Sequence, residues 1–273
     1  MKSTQLLEKQ LINKIMKNTI NYFILGYQGF NYFREKFDKE KYPNTILRII
    51  DNGNQKINGY QLYETKKNLG CAGGWNLICY IAFEYVGLEK IIIGQEDVIV
   101  EENEMRAMLE KCDEKTITSL IKHPFEFSTF AIHKKTFKKI GGFDENCIDA
   151  YCEDADYKQR CYLSSIKIES LNKSLERNLG ISRKINKRIY DTITVNRIYI
   201  REKWGKSINE NKIDQMNERP PYEFKHPFNK NNLNLNFFPI TQRMKLMQNL
   251  EGDKTPSQEE IPKFLKNPEG IKK

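Results

Sequence analysis

The sequence predicts an α/β domain in which a mostly parallel central sheet is flanked by helices. Short apolar segments of strand length alternate with helix-like segments between Ile20 and Ile93, as expected for βαβ units. The segment TILRIID at 45–51 ends in an aspartate and is followed by Asn-Gly, a strong turn signal. A further apolar segment at 127–132 leads into a basic helical turn, which a glycine pair at 141–142 ends.

Composition limits the classes of function. The chain has 273 residues, enough for one large domain or two small ones, and 39% of them are hydrophobic, which permits a substantial core. The net charge of +9 suits anionic partners such as nucleotide diphosphates, phospholipid surfaces or nucleic acid. The six cysteines are scattered and form no CxxC pair, so we expect free thiols rather than a zinc site or a disulfide framework.

We expect neither a signal peptide nor a membrane span. Residues 1–18 are amphipathic with interspersed lysines and predict a packing helix. The sequence contains no run of about 18 apolar residues. These features predict a cytoplasmic protein. Residues 251–273 are charged and lack apolar periodicity, so we expect a C-terminal helical and loop extension over 230–273 that is partly disordered.

Two strands are predicted in the first part of the chain, at 20–27 and 45–51, because both segments are apolar and bounded by turn residues. Asp51 lies at the end of the second strand. Ligands of open α/β sheets bind beyond the carboxyl ends of the strands, so its carboxylate could accept a hydrogen bond from a nucleobase or a ribose. A plain turn aspartate is the alternative.

A glycine-rich segment, NLGCAGGWNLIC, occupies 68–79, and we expect it to be a loop that leads into a helix ending near Tyr85. Glycines let the backbone approach a ligand closely, and the start of a helix favours phosphate. The motifs GxGxxG and GK[ST] are both absent, so the segment is neither a Rossmann nor a Walker motif.

An acidic turn follows the next strand. Ile91 to Ile93 predict that strand, Gln95-Glu96-Asp97 come after it, and a helix is predicted over 103–111. Carboxylates suit Mg²⁺ or Mn²⁺, which take oxygen ligands and leave positions for phosphate. A solvated loop is the alternative interpretation.

The segment with the candidate general base joins GGFDE at 141–145 to EDADYKQR at 153–160. Asp156 and Arg160 are four residues apart and can pair on one helix face. Asp154 then falls in the first helical turn, where backbone N–H groups and the helix dipole hold a carboxylate ionised. Such a carboxylate beside a flexible glycine turn suits general base catalysis. A simple helix cap is the alternative.

Together these motifs resemble the inverting family-2 glycosyltransferases with the GT-A fold, in the rhamnosyltransferase-like subgroup. The resemblance rests on GGFDE, on EDADYKQR and on the glycine segment, which is similar to the family element NxGfagGxNxGi. After a further predicted strand at 165–172, NRIYIREKWG at 196–205 resembles the family's closing segment. The resemblance implies a catalytic domain over 1–229, with a nucleotide-binding half at 18–100 and an acceptor half at 101–229.

The resemblance also implies roles for individual residues. Asp154 is the general base, with Glu153 as the fallback, because the sequence does not say which carboxylate points inward. Trp204 is equally a core anchor, and a lone histidine such as His226 is more often structural than a metal ligand. The implied nucleotide-sugar-binding residues are Asp51, Asn68, Gly70, Gly74, Asn76, Glu96 and Trp204, and the implied metal ligands are Asp97, Glu96 and His226.

The implied activity is inverting transfer of a sugar from a nucleotide-diphosphate sugar to a hydroxyl of a glycan or glycoconjugate, with Mn²⁺ or Mg²⁺ as the cofactor. The family's DxD position reads Gln95-Glu96-Asp97 here. This departure leaves an alternative, a catalytically inactive nucleotide-sugar-binding or glycan-binding protein of the same fold. A nucleic-acid partner is not expected, because no RRM, KH or zinc module is visible.

Overall fold

The computed structural model describes part of the chain: residues 19–27, 33, 37, 39–53, 61–65, 68–122, 126–147, 149–173, 193, 196, 197, 199 and 200. The predicted N-terminal helix, the extension over 230–273, Trp204 and His226 lie outside the described residues.

The described residues form a seven-stranded sheet with the order β3-β2-β1-β4-β6-β5-β7. Strand β6 is antiparallel to both of its neighbours, and the other pairings are parallel. The predicted mostly parallel α/β sheet is therefore confirmed, and the architecture is consistent with a GT-A-like, Rossmann-type fold. The strands are β1 (Ile20–Gly26), β2 (Thr45–Asn52), β3 (Gln61–Thr65), β4 (Lys90–Gln95), β5 (Thr116–Ser119), β6 (Thr129–His133) and β7 (Lys167–Ser170).

Helices cover both faces of this sheet. They are α1 (Gly70–Tyr80), α2 (Glu102–Lys111), α3 (Lys134–Ile140) and α4 (Glu153–Leu163). The segment Ile81–Tyr85 continues α1 as a π-helix, so the predicted helix end near Tyr85 is confirmed. Within the described ranges, each helix is too short or too polar to span a bilayer.

The sheet carries a buried core on each face. Phe23 and Leu25 of β1 pack with α1, α3 and α4 on one face. Tyr22 and Ile24 pack with α2 on the other. Successive residues of a strand point to opposite faces, so β1 contributes to both cores. Because both faces are covered, β1 and β2 are mostly apolar, which is why the sequence predicts them.

Two strands are not predicted by the sequence. β3 has the sequence QLYET and β5 the sequence TITS, and neither is a long apolar run. β3 forms by pairing with β2, and β5 forms between β6 and β7. Pairing with neighbouring strands therefore completes segments that are too short for the sequence to mark as strands.

Candidate active site

The candidate site lies where β1, β2, β3 and β4 end. These strands are mutually parallel along the sheet, and the register pairs Gly26 with Asp51 and Asn52 with Thr65, while Leu25 pairs with Gln95. Their carboxyl ends therefore form one edge of the sheet, which we call the carboxyl edge. Open α/β sheets bind ligands at this edge.

Asp51 lies at the carboxyl edge, as predicted. It is fully buried, opposite Gly26 of β1 and Glu64 of β3. Its role in holding the nucleoside stays a prediction.

Two asparagines join the end of β2 to the start of α1. The Asn52 amide donates to Asn68 Oδ1 at 2.8 Å and accepts from the Leu69 N–H at 2.8 Å. Asn68 Oδ1 also accepts from the Gly70 N–H at 2.9 Å. The predicted ligand residue Asn68 therefore shapes the chain that enters α1. Sequence reasoning did not assign a role to Asn52, although it belongs to the turn cluster after Asp51.

The start of α1 contacts the loop that precedes α4. The Cys71 N–H donates to the Asp149 carbonyl at 2.6 Å. Gly70 has a φ of +74°, and a Cβ there would lie 2.8 Å from the same carbonyl oxygen, so this approach requires glycine. The glycine-rich segment and the segment at 141–160, on which the resemblance rests, are thus in direct contact.

This arrangement changes the prediction for phosphate. The N–H groups of Leu69, Gly70 and Cys71 donate to Asn52, Asn68 and Asp149 respectively. The first N–H groups at the start of α1 are therefore already used within the protein. These three N–H groups are therefore not the expected donors to a phosphate.

The glycine-rich segment also differs from the predicted loop, because Gly70, Gly73 and Gly74 lie within α1 itself. A Cβ at Gly74 would lie 2.3 Å from Leu25 Cδ1. Glycine at this position therefore lets α1 pack closely against β1. The predicted ligand residue Gly74 has this packing role in the structure.

Asn76 fastens α1 to the GGFDE segment. Its amide accepts from the Phe143 N–H at 2.8 Å and donates to the Phe143 carbonyl at 2.9 Å. It also donates to Glu145 Oε1 at 2.7 Å. The side chain is fully buried, so the structure gives Asn76 a positioning role.

Helix α4 is anchored to the same segment. The predicted pair is confirmed, since Arg160 Nε donates to Asp156 Oδ2 at 2.9 Å. Arg160 Nη1 also donates to the Ile140 carbonyl at 3.1 Å, at the end of α3. Phe143 stacks on Tyr157 with ring centroids 4.0 Å apart. These contacts fix the glycine turn between α3 and α4 on both sides.

The loop before α4 has an unusual backbone. Asp149, Tyr151 and Cys152 have φ values of 55°, 78° and 76°. Each non-glycine residue in such a conformation costs on the order of 1–3 kcal/mol, and such residues cluster at functional sites. The N-cap of α4 is Cys152, which makes no side-chain cap. Asp154 therefore lies in the first turn, as predicted, and is not the N-cap residue.

The two candidate carboxylates have different surroundings. Asp154 is half-buried, and its Oδ1 accepts from the Ala155 N–H at 2.8 Å. Glu153 is 4% exposed, and its Oε2 has no hydrogen-bond partner among the described residues. Burial and the neighbouring charge of Asp154 raise the pKa of Glu153 well above its usual value. A pair of acids held in contrasting environments is typical of acid–base sites.

The raised pKa of Glu153 predicts a pH-dependent stability. Below pH 4.5, the usual pKa, both the folded and the unfolded chain hold this proton. At higher pH the unfolded chain releases it first, so the free energy of unfolding falls by up to about 1.4 kcal/mol per pH unit until the folded pKa is reached. Glu153→Gln cannot ionise and escapes this loss.

We therefore expect the melting temperature of Glu153→Gln, relative to the unsubstituted protein, to rise as the pH is raised above 4.5, until the folded pKa is reached. Glu110→Gln, an exposed position on α2, is the matched control and should show no such trend. A constant difference for Glu153→Gln across this range would show that Glu153 ionises normally in the folded protein.

Acidic side chains that follow β4 and that begin α4 lie near the Cys71 thiol. Burial raises the pKa of Cys71, and the charges of Glu153, Asp154, Asp149 and Asp97 raise it further. Asp97 follows β4, whereas Glu153 and Asp154 begin α4. The predicted metal ligand and the predicted bases therefore lie within electrostatic range of the same atom at the carboxyl edge.

Glu96 and Asp97 lie in a tight turn, closed by the Val98 N–H donating to the Gln95 carbonyl at 3.2 Å. Both are nearly buried, at 5% and 7% exposed. Glu96 Oε2 accepts from the Tyr27 N–H and so joins the ends of β4 and β1. In the part of the chain that the structure describes, no three His, Cys, Asp or Glu side chains are grouped to hold a metal.

These donors still fit one kind of metal site. Mg²⁺ is commonly bound by one or two carboxylates together with the phosphates of a substrate. Asp97, with Glu96 beside it, supplies that donor set at a strand end.

No protein-family model matches the chain, and no curated protein matches it. Solved structures do match. One is mannose-1-phosphate geranyltransferase from Thermus thermophilus, at 10% sequence identity and a TM-score of 0.31. The match covers 54% of this chain and 63% of that one, which is less than two thirds of its length. A likeness of this size supports no conclusion about activity.

Proposed function

We propose that the protein is a glycosyltransferase that moves a sugar from a nucleotide-diphosphate sugar to a hydroxyl of a glycan or glycoconjugate, with inversion. The observation that carries the proposal is the contact between Cys71 at the start of α1 and Asp149 before α4. This contact brings the carboxylates of the strand ends and those of the helix start to one edge of the sheet. Such an edge can hold a donor and an acceptor side by side.

On the donor side, Asp51 is the proposed partner of the nucleoside. Asn68 and Gly70 shape the backbone beside it, through their contacts with Asn52 and Asp149. Asn76 positions the GGFDE segment, and its contact with the donor stays a prediction. Trp204 is proposed to lie over the donor, and this proposal rests on the family resemblance alone.

On the acceptor side, Asp154 takes the proton of the acceptor hydroxyl while that oxygen bonds to the anomeric carbon. The bond from this carbon to the diphosphate oxygen breaks in the same step, and the electron pair leaves with the diphosphate. Attack opposite the leaving group inverts the configuration. Burial and the neighbouring charge of Asp154 raise the pKa of Glu153, so Asp154 is proposed as the charged member of the pair.

Asp97 is the proposed main ligand of Mg²⁺ or Mn²⁺, with Glu96 and His226 as further candidates. When bound, the ion would offset the negative charge that develops on the diphosphate. This proposal follows from the donor set and from the used N–H groups at the start of α1.

A second candidate is a catalytically inactive protein of the same fold that binds a nucleotide sugar or a glycan. The hydrogen bond from the Tyr27 N–H to Glu96 Oε2 favours this candidate. Glu96 stands where the resembled family binds metal, and this bond already uses one of its carboxylate oxygens.

A donor screen separates the two candidates. Thermal shift against UDP-, GDP- and dTDP-sugars, with Mn²⁺ or Mg²⁺, identifies a donor, since a ligand of the native state raises the melting temperature. Hydrolysis or transfer of that donor is then measured. Turnover supports the glycosyltransferase, binding without turnover supports the binding protein, and no shift with any donor contradicts both.

Asp97→Ala tests the metal proposal. We expect Mn²⁺-dependent nucleotide affinity to fall by more than roughly 10-fold, because losing even an outer group of a metal site has an effect of that size. Asp113→Ala is the control, since Asp113 precedes β5 at the opposite edge of the sheet. Titration calorimetry with and without Mn²⁺ gives both affinities. Equal affinity for Asp97→Ala and the unsubstituted protein in both conditions would remove Asp97 from the site.

A further inference from the structure

The loop at 149–152 carries the acidic start of α4 in a strained conformation. Three of its residues, Asp149, Tyr151 and Cys152, have positive φ values without being glycine. Such a backbone persists only where the surrounding structure holds it. The Cys71 N–H holds one point, the Asp149 carbonyl. The carbonyls of the next two residues are held by a distant part of the chain.

Asn196 supplies that contact. Its side chain is fully buried, and its Nδ2 donates to the carbonyls of Ala150 at 3.1 Å and Tyr151 at 3.0 Å. One amide group thus binds two successive carbonyls and fixes the peptide between them. The two partners lie 46 and 45 residues earlier in the chain.

Tyr199 holds the other end of the same segment. Its hydroxyl donates to Asp144 Oδ2, and both side chains are fully buried. Asp144 Oδ1 accepts from the Asn146 N–H at 3.0 Å and from Asn146 Nδ2 at 2.7 Å. The buried carboxylate therefore ties Tyr199 to the turn that follows GGFDE.

Asn196 and Tyr199 are both helical and three residues apart, so they lie on one helix face. We propose that they are positioning residues that clamp 144–151 at both ends and so set the direction of the first turn of α4. The clamp acts on Asp154 without touching substrate. The role of the clamp in catalysis rests on the proposed function, whereas its hydrogen bonds to the loop do not.

Asn196→Ala and Tyr199→Phe test the clamp by kinetics. A small misplacement of a catalytic group lowers the rate by up to about 10²-fold, so we expect the turnover number to fall by roughly 10–10² with the donor KM little changed. Asn21→Ala is the matched control. It also removes a partly buried side-chain hydrogen bond, in which Asn21 Oδ1 accepts from Arg48 Nη1 at 2.7 Å, but at the opposite end of β1, and it should keep the turnover number.

Hydrogen exchange tests the clamp independently of activity. The Cys71 amide bonds to the Asp149 carbonyl, so its exchange reports how firmly the loop lies against α1. We expect Asn196→Ala to speed exchange at Cys71 by about 10-fold or more, because it removes both hydrogen bonds to the Ala150 and Tyr151 carbonyls. Exchange in the centre of β1 should stay unchanged.

The two measurements separate the two claims. Faster exchange confined to the loop and α1 supports the clamp even if no transferase activity is found, in which case only the proposed function fails. Unchanged exchange at Cys71 overturns the clamp, and so does a uniform increase across the sheet. In an active enzyme, an unchanged turnover number for both Asn196→Ala and Tyr199→Phe overturns the positioning role.

Discussion

Asp154→Asn is expected to lower the turnover number by roughly 10²–10⁴-fold, the usual contribution of a positioned general base, with donor affinity little changed. Asparagine keeps the size of the side chain and can still accept a hydrogen bond from the Ala155 N–H, which Asp154 Oδ1 now accepts at 2.8 Å. It cannot take a proton at neutral pH. The substitution therefore removes the chemistry while leaving the first turn of α4 in place.

Glu153→Gln is the matched control for this prediction. Glutamine resembles the neutral carboxyl that burial favours at this position, so we expect a smaller loss of turnover. Steady-state kinetics with the donor found in the screen gives both numbers. An active Asp154→Asn beside an inactive Glu153→Gln moves the base to Glu153. Two active variants mean that neither carboxylate transfers the proton.

Gly70→Ala is expected to destabilise the fold by roughly 2–5 kcal/mol. About 1–2 kcal/mol comes from placing a side chain at positive φ. A further 1–3 kcal/mol, roughly, comes from overpacking, because the new Cβ would lie 2.8 Å from the Asp149 carbonyl oxygen. Backbone cannot move aside as a flexible side chain can, so the start of α1 must separate from the loop before α4.

Gly87→Ala isolates the contact from the backbone effect. Gly87 has a φ of +80°, close to that of Gly70, but a Cβ there meets nothing within 4 Å. It should therefore show only the backbone part, about 1–2 kcal/mol. Chemical denaturation measures both free energies of unfolding. Equal destabilisation by the two substitutions would mean that the α1 start is not held against Asp149.

Local patterns account for the features that the sequence predicts well. The sequence predicts β1 and β2 because burial on both faces makes them mostly apolar. The Asp156–Arg160 pair forms because residues four apart meet on a helix. Gly141 ends α3 with a φ of 85°, which needs no information from the rest of the chain.

Contacts between distant residues account for what the sequence does not predict. The glycines of 68–76 are expected to serve a ligand, whereas Gly70 makes room for the Asp149 backbone and Gly74 for Leu25. Asn76 is expected in the donor site, whereas its amide bonds to Phe143, 67 residues away. A glycine or asparagine that contacts a ligand and one that packs against the protein have the same residue type and the same spacing. The sequence therefore does not separate the two roles, and the neighbours in the folded structure do.

The sequence by itself determined the alternation of strands and helices, the mostly parallel sheet and the position of Asp154 in a first helical turn, because these follow from the periods of apolar residues and from contacts within one helix. The tertiary structure alone decided that Glu153 is buried and Asp154 half-buried, since adjacent helical residues differ by about 100° in direction and only packing fixes the rotation. It also decided that Asn196 and Tyr199 hold the loop before α4, because hydrogen bonds across more than 40 residues leave no local pattern.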